Sequence, residues 1–195
     1  MKYRTHITLT LAVGLPLMAA SGEVSLLNGC ALGIGSLLPD IDHPSSFLGK
    51  RNKIASGITN KTFGHRGGTH SLLGAVVVFI LGTIVQFHYL SAPGQNVTFW
   101  LMLGYLMHLV EDSFSKEGIH WLWPYKKKRK RTRLVYYTTG GIGEHLVLGF
   151  TLCLLLIEFR LLWLGTLGQL IHCQWLTVIQ TKFTMLQHAL LSIVK

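Results

Sequence analysis

Four groups of residues combine types that bind metals and move protons. They are His6; Asp40, Asp42 and His43 in the run Pro39-Asp-Ile-Asp-His-Pro44; His65 and His70 in Gly64-His-Arg-Gly-Gly-Thr-His-Ser71; and His108 with Asp112. His108 and Asp112 are four residues apart, which on a helix turns both side chains to one face, where they either pair with each other or share one ion. Asp40 and Asp42 follow a proline, and two carboxylates one residue apart in an extended turn can reach the same metal or bridge two. The competing role for either Asp is to hold a turn. Glycines around His65 and His70 let the backbone approach a ligand closely, and Arg66 and Thr69 between them suit an anion such as phosphate or carboxylate.

His and Asp donors without Cys favour zinc first, with manganese or iron as alternatives, over a Cys-rich structural zinc. Cys30, Cys153 and Cys173 are spread along the chain and form neither a disulfide framework nor a zinc motif, so they are expected as buried small hydrophobes. The expected ligand set is His6, Asp40, Asp42, His65, His70, His108 and Asp112. A bound divalent ion lowers the pKa of water to about 7 and supplies hydroxide as the nucleophile. Asp42 and His70 are then read as the proton-handling groups and Arg66 as the anchor for the anion, a set that serves phosphoester hydrolysis best. No Gly-x-Ser-x-Gly elbow and no phosphate-binding P-loop competes with it.

The elements that must position these residues are apolar. Hydrophobic residues make up 49% of the chain and charged ones 13%, too few charges for an ordinary water-facing surface. Apolar stretches recur at 7–20, 24–38, 72–90, 98–110 and 145–164. The fold class expected is therefore all-α, a multi-pass transmembrane bundle of about five spanning or re-entrant helices. The first stretch, behind Lys2 and Arg4 and ending at Ala19-Ala20-Ser21, also fits a signal peptide. Only Ser21, Gly22 and Glu23 separate it from the second, which reads more naturally as a tight helical hairpin. Residues 175–194 place Leu176, Ile179, Phe183, Leu186, Leu190 and Ile193 at helical spacing, predicting a C-terminal amphipathic helix. Residues 1–165 are read as one membrane-embedded domain and 166–195 as this appended helix, with no room for a second, soluble domain.

Sidedness unites the four groups. His6 starts the first stretch, Asp40 follows the second, His65 and His70 precede the third, and His108 and Asp112 close the fourth, so an alternating path carries all of them to one face. That face also receives every Lys and Arg except Arg160, Lys182 and Lys195, including the run at 126–133. By the positive-inside rule it is cytoplasmic. The formal charge of +10 would suggest nucleic acid in a soluble protein; here topology already explains the basic run, and anionic lipid is the partner it suits. Glu144 and His145 open the fifth helix on the same face and are weaker candidates for supporting the ligands. His88, His172 and His188 are placed as structural, and His120 lies among surface aromatics.

The runs Leu37-Leu-Pro-Asp-Ile-Asp-His-Pro-Ser-Ser-Phe-Leu-Gly49, Phe63-Gly-His-Arg-Gly-Gly-Thr-His-Ser71, Gly104-Tyr-Leu-Met-His-Leu-Val-Glu-Asp112 and Leu122-Trp-Pro124 resemble the YdjM-like family of LexA-regulated, inner-membrane-associated predicted metal-dependent hydrolases. The likeness covers residues 1 to about 125 by motif. It implies a multi-pass protein of the bacterial inner membrane with hydrolase activity, made under DNA-damage (SOS) control, with a link to LexA. The family's motif positions correspond to His6, Asp40, Asp42, His65, His70, His108 and Asp112; Glu111, beside the last of them, receives no role.

The leading expectation is a membrane metallohydrolase acting at the cytoplasmic face on a phosphoester or lipid-like substrate. The alternative is a non-catalytic scaffold or regulator that binds a soluble partner through its basic loops. A transporter ranks third, because its polar groups belong at mid-membrane and here they collect at helix ends.

Overall fold

A computed structural model describes residues 1–44, 46–53, 57, 67–90, 96–125, 137–171 and 174–194. Among these residues the regular structure is helical: α1 (Tyr3–Ala20), α2 (Leu26–Gly35), α3 (Phe47–Arg51), α4 (Leu72–Tyr89), α5 (Val97–Ser113), α6 (Ile142–Trp163) and α7 (Gln174–Val194). Short 3₁₀ turns lie at Leu38–Asp42, Gly68–His70 and Leu167–Gln169. An isolated bridge joins Ser115 to Tyr137.

Two of the five expected spans, α4 and α6, are long and apolar enough to cross a bilayer by length and composition. Both bury little of their surface within the protein, as expected of helices whose sides meet lipid. The other three fall short for separate reasons. Helix α2 has 10 residues, half the ~20 that about 30 Å of hydrocarbon requires, and α5 has 17. Helix α1 has 18 but carries Arg4, Thr5, His6, Thr8 and Thr10 in its first half.

The centre of the bundle is the crossing of α2 on α5. A Cβ atom at Gly35 would collide with the backbone carbonyl of Leu101, and one at Gly104 with that of Leu32. Small residues at both positions thus allow backbone-to-backbone approach, the device by which apolar helices associate where water supplies no driving force. Around the crossing Met18, Ala31, Leu32, Phe99, Trp100 and Leu176 form one buried cluster. Ala75, Met102, Tyr105, Leu109 and Ile119 form a second beneath the turn that precedes α4.

Serines set the starts of three helices. Ser25, Ser46 and Ser71 accept from the backbone N–H groups of Asn28, Gly49 and Gly74, satisfying amides that the helix itself leaves open. Ser71 immediately follows His70, so the cap that starts α4 also fixes the histidine's position.

Helix α7 is present where the apolar spacing predicts it, and polar residues share the face that packs through Leu176 and Phe183. Leu176, Gln180 and Gln187 are buried, while Ile179, Leu186 and Ile193 are exposed. Gln180 Nε2 donates to Glu23 Oε2 (3.1 Å) and Gln187 Nε2 to Thr83 Oγ1 (3.3 Å). Glu23 also accepts from Trp100 Nε1 (2.7 Å) and from Asn96. Polar partners on other elements, which the helix's own periodicity does not reveal, set this register. Cys30 and Cys153 are exposed on helix surfaces rather than buried; Cys173 lies outside the described residues.

Candidate metal centre

Helix α5 presents His108, Glu111 and Asp112 at i, i+3 and i+4, on one face, and all three are buried. The close crossing with α2 brings His108 Nδ1 to 2.7 Å from the carbonyl of Ser36. A carbonyl only accepts, so Nδ1 carries the proton and Nε2 is left with its lone pair. That Nε2 faces His70 Nε2 at 3.2 Å.

His70 arrives from the 3₁₀ turn before α4, a turn held down by the Tyr105 hydroxyl, which donates to the Thr69 carbonyl. Thr69 Oγ1 donates its own proton to Asp42 Oδ2 (2.8 Å) and lies 3.2 Å from His70 Nδ1. The hydroxyl therefore accepts from that Nδ1. In the neutral ring this again leaves a lone pair on Nε2, so two imidazole lone pairs point at one another, an arrangement that requires a proton or another cation between them.

Two carboxylate oxygens complete the convergence. Asp40 Oδ1 is 3.6 Å from His70 Nε2 and 3.8 Å from His108 Nε2; Asp112 Oδ2 is 3.8 and 4.0 Å from the same atoms. Donors around a tetrahedral zinc with bonds of about 2.0–2.1 Å stand roughly 3.3 Å apart, close to the separation of each of these carboxylate oxygens from the two ring nitrogens. His6 stacks on His108 with ring centroids 4.0 Å apart. Its Nε2 lies 3.5 Å from Asp112 Oδ1 and makes no hydrogen bond among the described residues.

The outer nitrogens are held by further carboxylates. His6 Nδ1 meets Glu111 Oε2 at 2.5 Å, and Thr10 Oγ1 donates to Glu111 Oε1 at 3.1 Å. Asp42 Oδ2 sits 3.4 Å from His70 Nδ1. The Tyr137 hydroxyl donates to Asp112 Oδ1 at 3.1 Å. Glu144 accepts from Thr5 Oγ1 (3.0 Å), from the Gly140 N–H (2.5 Å) and from the backbone of Lys2. It thereby ties the start of α1, one residue before His6, to the start of α6.

Burial pushes the Asp40 carboxyl up, but the imidazoles of His108 and His70 hold it below the usual carboxylate range. Burial likewise pushes the His70 imidazole down. The carboxylates of Asp40 and Asp42 more than offset this and raise it to about 9.

Of the seven expected ligands, His6, Asp40, His70, His108 and Asp112 are brought together, in two overlapping triads of the kind that hold metal ions. Asp42 is adjacent to them but on the far side of the His70 ring. The reason is local: the chain through Leu38–Asp42 is a 3₁₀ turn rather than extended, so it rotates about 120° per residue and separates the side chains of Asp40 and Asp42. His65 and Arg66 lie outside the described residues. Glu111, assigned no role from sequence, contacts His6 directly; its i+3 spacing from His108 was the available signal. The Ser36 contribution is a backbone carbonyl, which side-chain types cannot reveal.

The family model for YdjM inner membrane proteins matches residues 1–187 of this chain. The chain is 38% identical to YvsG of Bacillus subtilis over 138 residues, which cover 70% of this chain and 74% of YvsG. It is 44% identical over 93 residues to the inner membrane protein YdjM of Escherichia coli, covering 45% of this chain and 44% of that protein. With the inner membrane protein YbcI of Escherichia coli the identity is 34% over 127 residues, 64% of this chain and 68% of YbcI. No solved structure matches.

Proposed function

Because this chain belongs to the YdjM inner membrane protein family and so to the bacterial inner membrane, we propose that it is a membrane-boundary metalloprotein that hydrolyses phosphoesters. The observation that carries the metal reading is the facing of His70 Nε2 and His108 Nε2 at 3.2 Å, with Asp40 Oδ1 at 3.6 and 3.8 Å and Asp112 Oδ2 at 3.8 and 4.0 Å from those two nitrogens. The donor set suits zinc first, then manganese or iron.

His70, His108, Asp40 and Asp112 hold the ion in this reading, with His6 as a further ligand or as part of a second site. Asp42 and Glu111 are positioning residues: each fixes the outer nitrogen of a ligating ring, as carboxylates behind metal-bound histidines do. When bound, such an ion acts as a Lewis acid and brings the pKa of water down to about 7. Asp40, the least buried of the converging residues with 19% of its side chain exposed, is the group placed to exchange a proton with the reacting water. Arg66 remains a candidate for the anion.

Multi-pass insertion and a cytoplasmic site are the topology this reading adopts. The support is the charge asymmetry of the sequence and the fact that α4 and α6, the two candidate spans, both begin beside the cluster. Residues 166–195 act as a helix docked on the body formed by 1–165. The test is hydrolysis of bis(p-nitrophenyl) phosphate by the full chain in detergent. Activity removed by a chelator, restored by zinc or manganese and absent from Asp112→Asn supports the reading. Metal-loaded protein with no activity above the Asp112→Asn background on this or any phosphoester tried refutes the hydrolase.

A further inference from the structure

A cavity of about 630 Å³ opens against Asp40, within the roughly 300–1,000 Å³ typical of small-molecule sites. Asp40 is the one member of the converging set that lines it; His70, His108 and Asp112 are at most 1% exposed. Among the described residues, a ligand in this space therefore meets the cluster at Asp40.

Basic and aromatic side chains make up much of the remaining wall. Lys2, Tyr3 and Arg4 enter from the start of α1, Phe47 from α3, and Thr139 from the loop before α6. Glu117 is the other carboxylate of the lining. Tyr3 stacks on Phe47 with centroids 4.9 Å apart and planes at 26°. Arg4 Nε donates to the Tyr3 hydroxyl at 3.1 Å, and the Arg51 guanidinium lies 3.9 Å over the opposite ring. Two cations thus bracket a stacked aromatic pair, which fixes the first turn of α1 against α3. Lys2 is seated separately: a Cβ at Gly140, whose φ is +77°, would stand 3.4 Å from Lys2 Cε and 3.6 Å from Nζ. The lysine stem thus lies along the loop within van der Waals reach of that position.

We propose that this cavity is the phosphoester subsite, in which Lys2 and Arg4 neutralise the phosphate oxygens and the Tyr3–Phe47 pair carries the organic group. The inference deepens the hydrolase reading above and depends on it for the reaction, but not for binding. A phosphorylated small molecule and the headgroup of an anionic lipid present the same chemistry here. The start of α6 at Ile142, just after Thr139 of the lining, puts either within reach.

The test is calorimetric binding of inorganic phosphate to the full chain in detergent, with zinc content measured on the same samples. Lys2→Gln/Arg4→Gln should weaken phosphate binding at least tenfold with zinc content unchanged. Lys2→Arg/Arg4→Lys, which keeps the charge, should retain more of the affinity than Lys2→Gln/Arg4→Gln, and the distant control Arg160→Gln/Lys182→Gln should bind as wild type. Unchanged affinity in Lys2→Gln/Arg4→Gln, or an equal loss in the control, overturns the subsite. A wild-type chain without metal whose phosphate binding still depends on Lys2 and Arg4 refutes the metal reading and leaves the subsite standing. Competition by glycerol 1-phosphate identifies a soluble ligand, and competition by phosphatidylglycerol nanodiscs but not phosphatidylcholine ones a lipid headgroup. Either supports the proposal, and competition by neither overturns it.

Discussion

His70 Nε2 and His108 Nε2 face each other across 3.2 Å, each ring directed there by a partner on its other nitrogen, Thr69 and Asp42 for one and the Ser36 carbonyl for the other. Without metal, a proton on His70 bridges them, consistent with an imidazole raised to about 9. An ion entering between the rings must displace it.

Metal affinity should therefore depend on pH with a defined sign. Between pH 7 and the His70 value of about 9, binding releases one proton from this ring, so apparent zinc affinity should rise by up to about tenfold per pH unit and level off above it. The metal-free fold should behave oppositely. A folded-state pKa above the unfolded value of 6.5 contributes stability that is complete below 6.5 and is lost as pH rises through about 9. Competition with a chromogenic chelator, and thermal unfolding with and without zinc over pH 6–9.5, check the two slopes.

The Gly35–Gly104 crossing should be as sensitive as the ligands themselves. Gly104→Ala forces a methyl group onto the Leu32 carbonyl and separates α5 from α2. The expected cost is about 1–3 kcal/mol, with loss of zinc because His108 moves away from Ser36. Gly29→Ala, where a Cβ meets open space, should change neither melting temperature nor zinc content.

Glu111→Gln should separate orienting from ligating. The amide can still contact His6 but no longer offers a full carboxylate to its Nδ1, so zinc affinity should fall about 10–100-fold with stoichiometry retained at saturating metal. Asp112→Asn removes a converging oxygen and should lower stoichiometry itself. Titration followed by mass spectrometry of the native complex distinguishes a weakened site from an absent one.

Glu23 gathers Asn96, Trp100 and Gln180 at the end of α1. Glu23→Ala should release α7 at a cost of about 2–3 kcal/mol, the scale of a hydrogen bond to a charged group that leaves its donors unpaired. Faster proteolysis between α6 and α7, with zinc content unchanged, is the expected pattern; loss of zinc in this variant would mean the two ends of the bundle are coupled.

Helix ends were the legible part of the site. Apolar stretches can be bounded from sequence alone, and alternation of direction then places His6, Asp40, His70, His108 and Asp112 on one face without knowledge of any contact. What escaped depends on local rotation or on remote partners. The 3₁₀ turn at Leu38–Asp42 divides two aspartates that an extended chain would unite. The buried face of α7 includes Gln180 and Gln187, whose acceptors are Glu23 and Thr83 on distant elements. The number of candidate spans fell from five to two because short or Thr-rich helices such as α2 and α1 are apolar enough to pack in a bundle but not, by length and composition, to cross alone.

In the proposed centre His70 and His108 close on one metal ion. Zinc stoichiometry of the purified full chain, measured by plasma mass spectrometry for wild type and for His70→Gln/His108→Gln after identical exposure to zinc and desalting, tests it most directly. The wild type should hold at least one ion per chain and the double variant should lose it, with both proteins retaining the same helical circular dichroism. Equal zinc content in two equally folded proteins would contradict it.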